Sequence, residues 1–351
     1  MKTDIVFIDQ TLGNALENHH INIVSAGRVK AGLEALVPMV FDMTLAVYAA
    51  IRRECQINMD NIRASVRPVA EEIDEAFSLG CRMLKITMNY QEINQMPEPV
   101  KAALRRAQLR GVTVALAMAG GCRCSLSGLY ALARIVRLYN ITRLVVDDKM
   151  GELDPMVTYR TLRSIKQGIP CELEYHGNND WGLATGNALS AIRSGVLCIA
   201  VSCGGVYGYP ALEEVLMGAR YLLELPLSVP AKLATNCATI LHELGQCVRT
   251  TKAIIGTDIF AHESGIHVDG VNKKSDLYEP FTPETVGLSR KIVLGKHSGK
   301  AALELKCREL SLSVNPANMP VILERVRVLA VGQKAPVADW QLRQLVCEMA
   351  S

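Results

Sequence analysis

One stretch of the chain gathers more candidate chemistry than any other: Glu174-Tyr175-His176-Gly177-Asn178-Asn179-Asp180-Trp181-Gly182. An imidazole set among amides and carboxylates has three uses: it ligates a metal, it moves a proton, or it holds a loop by hydrogen bonds. The residues alone leave all three open. Other groups of suitable type recur at intervals along the first two hundred residues: Asp9, Asp42, Arg67, Asn89, the run Asp147-Asp148-Lys149, and Ser202 with Cys203. Lys149 would be an imine-forming amine if it were desolvated. Asp147 and Asp148 beside it favour a charged, solvated ion pair instead.

These residues fall at the ends of short apolar runs, which explains their spacing. Eight such runs read as strands: Ile5 to Asp9, Pro38 to Met43, Ala64 to Pro68, Met83 to Asn89, Thr113 to Met118, Arg143 to Asp148, Cys171 to His176 and Val196 to Ser202. Between them, stretches such as Val69 to Gly80, Pro97 to Arg110 and Ser125 to Asn140 repeat apolar residues at three and four, the pattern of a helix with one buried face. Runs rich in Val, Ile, Leu and Met without strict alternation suit parallel strands covered on both sides. Eight β/α repeats predict an α/β fold of the (β/α)8 TIM-barrel type, with chemistry at the C-terminal ends of the strands.

Composition agrees. The 351 residues are 49% hydrophobic and 21% charged with a formal net charge of +3, which excludes a largely disordered chain and gives no footprint for nucleic acid or an anionic membrane. No apolar run reaches the length of a membrane span and the N-terminus has no signal-peptide character, so a cytoplasmic location is expected. The eleven cysteines are scattered, as expected of reduced core thiols, and the Cys122-x-Cys124 pair is weak evidence for zinc. Past residue 255 the character changes, with helical patterns at Lys300 to Leu310 and Pro320 to Leu329. The division expected is a barrel over 1–255 and an appendage over 256–351, too short to bury a large core by itself.

Phe260-Ala261-His262-Glu263-Ser264-Gly265-Ile266-His267-Val268-Asp269-Gly270, then Tyr278-Glu279, Val286-Gly287 and Leu294-Gly295-Lys296-His297-Ser298-Gly299, resemble the C-terminal arm of homocitrate and isopropylmalate synthases. Asp9-Gln10-Thr11-Leu12 resembles that family's opening strand, His176 through Asn187 its His-x-His-Asn-Asp segment, and Ala211-Leu212-Glu213-Glu214-Val215 a helix of its eighth repeat. The resemblance spans nearly the whole chain and is best to the nitrogenase-type homocitrate synthases. The further regulatory domain usual in isopropylmalate synthases is not expected. The resemblance implies a barrel in which a divalent metal holds a 2-oxo acid while the methyl group of acetyl-CoA is deprotonated and attacks the keto carbon. It also implies a dimer whose arm, through residues matching His267 and Tyr278, reaches the acetyl-CoA of the neighbouring subunit.

Several positions depart from that pattern. The family's Arg, which polarises the keto oxygen, and the metal-binding Asp after it correspond to Gly13 and Asn14; the second His of its ligand pair is Asn178. The acidic residue at the fifth strand's end falls among Met118 to Gly120, and the Glu, Arg and Asn of the loop after the eighth strand are absent from Ser202 to Tyr209. Amide oxygens carry no formal charge, so metal affinity should fall by several kcal/mol.

The expected site is therefore catalytic His267, Tyr278 and Asp9; substrate-binding Arg67, Asn179 and Asp148; and, for any metal, His176 with companion positions Asn14 and Asn178. No cofactor is expected unless the site is rearranged, in which case it would be a divalent ion such as magnesium, manganese, zinc or iron. The functional expectation is a diverged member with lost or altered condensation, homodimeric through its arm or paired with an active paralogue. The alternative is a working acyltransferase that condenses acetyl-CoA with a 2-oxo acid through a rearranged site. A metal-free aldol cleavage through Lys85 or Lys149 is a third, weaker reading.

Overall fold

The structure is a computed structural model that describes residues 5–55, 57–120, 125–263 and 279–350. The chain divides into two compact units, Met1–Val248 and Arg249–Ser351.

In the first unit eight parallel strands close into a barrel in sequence order: β1 (Val6–Asp9), β2 (Met39–Thr44), β3 (Ile62–Val66), β4 (Met83–Asn89), β5 (Thr113–Ala119), β6 (Arg143–Asp147), β7 (Glu172–His176) and β8 (Cys198–Val201). The ring closes where Asp9 of β1 pairs with Val201 of β8. Helices connect the strands: α1 (Thr11–Glu17) and α2 (Ile23–Glu34) after β1, α3 (Leu45–Glu54), α4 (Ala70–Ser78), α5 (Glu98–Arg110), α6 (Leu126–Leu138), α7 (Pro155–Gly168), α8 (Ala184–Arg193) and α9 (Leu212–Tyr221), with α10 (Leu233–Glu243) last. The (β/α)8 fold expected from the strand count is thus present.

Local chemistry explains where these elements start and stop. Asp154 caps α7 by accepting the Met156 and Val157 amides, with Pro155 in the first turn, where its missing donor costs nothing. Ser125 does the same for α6 through the Gly128 amide, and α5 stops at Gly111, whose φ of 64° is left-handed. The third strand begins earlier than the apolar run suggested and ends at Val66. Beyond it Pro68 has no amide to give to a ladder, and the Arg67 amide is taken by the Glu72 carboxylate. Asp148, expected inside the sixth strand, lies just past its end.

Successive residues of a strand face opposite sides, and only the closed ring gives one of those sides a lumen. The outward set packs under the helices, with Phe7, Phe41, Ile62, Leu84, Ile86 and Leu116 essentially fully buried. Small residues of the inward set, Ala115, Ala117 and Val145, form a separate apolar group, and they leave room in the lumen for the charged side chains described below.

The second unit holds a two-residue parallel pairing of Ala261–His262 with Lys291–Ile292 and three helices, Lys300–Glu309, Met319–Gln333 and Asp339–Ala350. The first two match the expected patterns. The third was not anticipated, although Leu342, Leu345 and Val346 follow helical spacing and join Leu303, Cys307, Ile322 and Val326 in a small core of the unit's own. Cys81, Cys198, Cys203, Cys237 and Cys307 are buried free thiols; Cys122 and Cys124 lie outside the described residues. Among the described residues, no helix is long and apolar enough to cross a membrane.

Candidate functional site in the barrel lumen

The centre of the lumen is an ion-pair network built on Arg63. Its Nε donates to Asp42 Oδ1 at 2.5 Å and its Nη2 to Asp42 Oδ2 at 2.9 Å. Across the lumen, Nη2 also donates to Glu174 Oε1 at 2.6 Å and Nη1 to Glu174 Oε2 at 2.8 Å. β3 and β7 stand opposite each other in the ring, so one guanidinium fork spans the lumen and grips a carboxylate on each side. Lys85 Nζ adds 2.6 Å to Asp42 Oδ2, Gln10 Nε2 adds 3.1 Å to the same oxygen, and Arg143 Nη1 reaches Glu174 Oε2 at 3.3 Å. His176 Nε2 lies 2.6 Å from Glu174 Oε1.

Burial by itself would push both carboxyls up, because it penalises the charged form. The Arg63 guanidinium outweighs it, helped at Asp42 by Lys85, and holds Asp42 and Glu174 far below the usual carboxylate range. Arg63 is in turn held above its usual value by the two carboxylates despite its own burial. Both acids are therefore anions. An ionised carboxylate only accepts, so Nε2 of His176 carries the proton that Glu174 receives.

The metal that the resemblance implies can be tested against this geometry. The matched positions do not form a cage. The Asn14 side chain donates to the Gln10 carbonyl at 2.7 Å, within its own helix. Asn178 donates to the Lys149 carbonyl at 3.1 Å and accepts the Asp180 amide at 2.7 Å, which makes it a loop fastener. His176 has its Nε2 committed to Glu174. Among the described residues, one group of three potential ligands does converge, Asp42, Glu174 and His176, with donor atoms within 4.8 Å of one another. All four carboxylate oxygens of that group are already engaged by Arg63, Lys85, Gln10, Arg143 or His176. The residues present do not fit a divalent ion.

Gly13, at the place of the keto-polarising Arg, shows how far the backbone itself differs from what such a side chain needs. A Cβ there would lie 2.2 Å from the Asp42 carbonyl oxygen and 3.0 Å from Cα and Cβ of Met43. Helix α1 rests against β2 so closely that only glycine is accommodated.

The remaining expected residues are dispersed. Asp9 is fully buried at the end of β1. Its Oδ2 accepts the Leu12 amide at 2.8 Å, its Oδ1 has no hydrogen-bond partner among the described residues, and burial raises its pKa to about 6. Asp148 is buried too, but its oxygens accept the Glu152 and Leu153 amides, so it shapes the loop after β6; burial raises its pKa. Arg67 extends into solvent with 80% of its side chain exposed, paired to Glu72. Asn179 accepts the Ala184 amide at the start of α8. Lys149 is exposed, and its carbonyl receives Asn178. Lys85 is ion-paired with Asp42. His267 and Tyr278 lie outside the described residues. Of the candidates taken from the sequence, His176, Asp42 and Lys85 belong to the lumen network.

Arg63, Glu174 and Arg143 carry that network and were not singled out by sequence reasoning. The available signal was charge at alternate positions inside strand-like runs: Glu172, Glu174 and His176 in β7, and Arg63 in β3.

A closed eight-stranded parallel barrel with polar residues at its strand ends is the class that fold and site define. The HMGL-like family matches residues 12–245, and a homocitrate synthase post-HMGL domain-like family matches residues 254–334. The 2-isopropylmalate synthase 2 of Caldanaerobacter subterraneus subsp. tengcongensis is 33% identical over 299 residues, covering 81% of this chain and 78% of that protein. The homocitrate synthase 1 of Nostoc sp. is 32% identical over 244 residues, covering 68% and 64%. The chain thus belongs to the HMGL-like family, among relatives named homocitrate, 2-isopropylmalate and citramalate synthases. A hydroxymethylglutaryl-CoA lyase from Pseudomonas aeruginosa shares the fold, with a TM-score of 0.54 at 15% identity over 69% of this chain and 92% of that one.

Proposed function

We propose that this chain is a diverged member of the family in which metal-dependent condensation of acetyl-CoA with a 2-oxo acid has been lost, and that it acts through its fold. The association this implies is a homodimer through the 256–351 arm, or a heteromer with a catalytically active paralogue. The observation that carries the reading is Gly13. The position that would polarise the keto oxygen has no room for a Cβ, so the loss extends from side chain to backbone. Asn14 and Asn178 support it, since both spend their amides on backbone carbonyls. So does His176, bound to Glu174.

A second reading, acyl transfer through a rearranged site, draws on Asp9. A buried carboxyl with a pKa of about 6 and one oxygen unpartnered among the described residues is suited to exchange a proton near neutral pH. Thiol release from acetyl-CoA, followed across a panel of 2-oxo acids with Mg²⁺ or Mn²⁺, separates the two. Loss of condensation requires no acceptor-dependent release. Release that depends on one acceptor and falls in Asp9→Asn establishes the second reading and removes the first.

A further inference from the structure

Two carboxylates and an imidazole with donor atoms within 4.8 Å, all buried, are a ligand set that a borderline divalent ion would take. We propose that Arg63 is the resident cation of this set: its guanidinium stands in for a divalent ion among Asp42, Glu174 and His176 and closes the lumen to metal. Take that charge away, and the same three side chains form a site for one Zn²⁺ or Mn²⁺ ion.

Three observations support the assignment. Among the described residues, Arg63 alone donates to both carboxylates; Lys85 reaches Asp42, and Arg143 reaches Glu174. It occupies an oxygen of each at 2.5 to 2.6 Å, so an ion at ordinary ligand distances and the guanidinium would need the same lone pairs. It also makes the most contacts: Arg63 donates to all four oxygens of Asp42 and Glu174, and among the described residues Asp42 Oδ1 has no other donor, so removing the guanidinium leaves a buried carboxylate oxygen unsatisfied. An unpaired buried carboxylate is expensive, and a metal ion is one of the few groups able to satisfy it there. His176 would then turn an imidazole lone pair to the ion once Glu174 was occupied. Nothing in this argument uses Gly13, Asn14 or Asn178, so it goes beyond the proposed loss of condensation.

The test is metal uptake by Arg63→Ala, which vacates the space as well as the charge. Wild-type chain, Arg63→Ala, Arg63→Lys and Arg63→Ala/His176→Ala are dialysed against Zn²⁺ or Mn²⁺, and bound metal is counted by elemental analysis. Arg63→Ala should hold about one ion per chain more than wild type, and the double variant should lose it. Arg63→Lys, which keeps a cation in place, should take none. Folded Arg63→Ala without His176-dependent metal overturns the proposal, as does wild-type chain that already binds such an ion. Should Arg63→Ala not fold unaided, it is refolded from urea with and without Zn²⁺. Recovery of the native circular dichroism only with the ion upholds the assignment, and no recovery in either case refutes it. Wild-type condensation with metal uptake by Arg63→Ala would sink the proposed function alone; an inactive wild type with a metal-free folded variant would sink this inference alone.

Discussion

Replacing Arg63 by Met keeps most of the bulk and removes the charge, so it isolates the electrostatic part of the lumen network. The side chains concerned are 3%, 2% and 0% exposed for Arg63, Asp42 and Glu174, so solvent screening gives no relief. Removing one partner from a buried, hydrogen-bonded charge network costs about 3–5 kcal/mol, because the carboxylates left behind stay desolvated. Lys85 at Asp42, and Arg143 and His176 at Glu174, soften the loss and set the expectation near the lower figure. The pH dependence gives the sharper signature. In the wild type both carboxyl pKa values are depressed, so their stabilisation is present at neutral pH and disappears only as pH falls below the ordinary carboxylate range of about 4. In Arg63→Met burial dominates and raises them, so the variant regains stability as pH falls through the raised values. The gap between the two proteins should therefore be widest near pH 8 and shrink by about 2 kcal/mol on going to pH 4.5. Guanidinium denaturation followed by circular dichroism measures it, with a midpoint shift of about 0.5 M at pH 8 for the large m-value of a chain this long. A cost below about 1 kcal/mol, or one that does not change with pH, would refute the claim that Arg63 carries the lumen.

Asp9 has the opposite linkage. Its folded pKa of about 6 lies above the ordinary 3.8, so its ionisation costs stability as pH rises through that interval, up to about 3 kcal/mol above it. Asp9→Asn, which still accepts the Leu12 amide, should be more stable than wild type at pH 8 and equal to it below pH 4; equal melting temperatures at pH 8 would contradict this. Gly13→Ala should cost about 3 kcal/mol or more, or abolish soluble expression, since its Cβ meets the Asp42 carbonyl oxygen. A neutral outcome would mean that α1 and β2 are free to separate, and would reopen the Arg position. Light scattering of the purified chain should give twice the monomer mass. A monomer that also fails to associate with an active family member would end the structural-subunit proposal.

The barrel was legible because parallel strands covered on both faces leave dense apolar runs, and Met83–Asn89 was bounded correctly on that basis alone. β3 was displaced because the charged Arg63 interrupts the apolar run at its start, whereas the ladder begins at Ile62 and stops where the backbone donors are diverted. His176 could be recognised as chemistry, but its partner could not. Glu174 and Arg63 sit inside strands, where a charge reads as a solvent-facing position, and only closure of the ring sets β3 across from β7. Arg67 illustrates the converse. A basic residue at a strand end suits substrate binding, yet Glu72 of the following helix captures it on the outside. Sequence position pointed to the C-terminal strand ends, whereas Arg63 and Arg143 enter the network from the second residue of β3 and the first of β6, and it did not show which way each side chain turns.

The central claim is that no divalent ion is held at His176, because the neighbouring anions already have their cation. Its most direct test is Mn²⁺ uptake by the wild-type chain compared with His176→Ala, by equilibrium dialysis and electron paramagnetic resonance. The expected result is the same uptake by both proteins, with no site whose signal depends on the imidazole. One tightly bound ion per wild-type chain that disappears in His176→Ala would contradict the account.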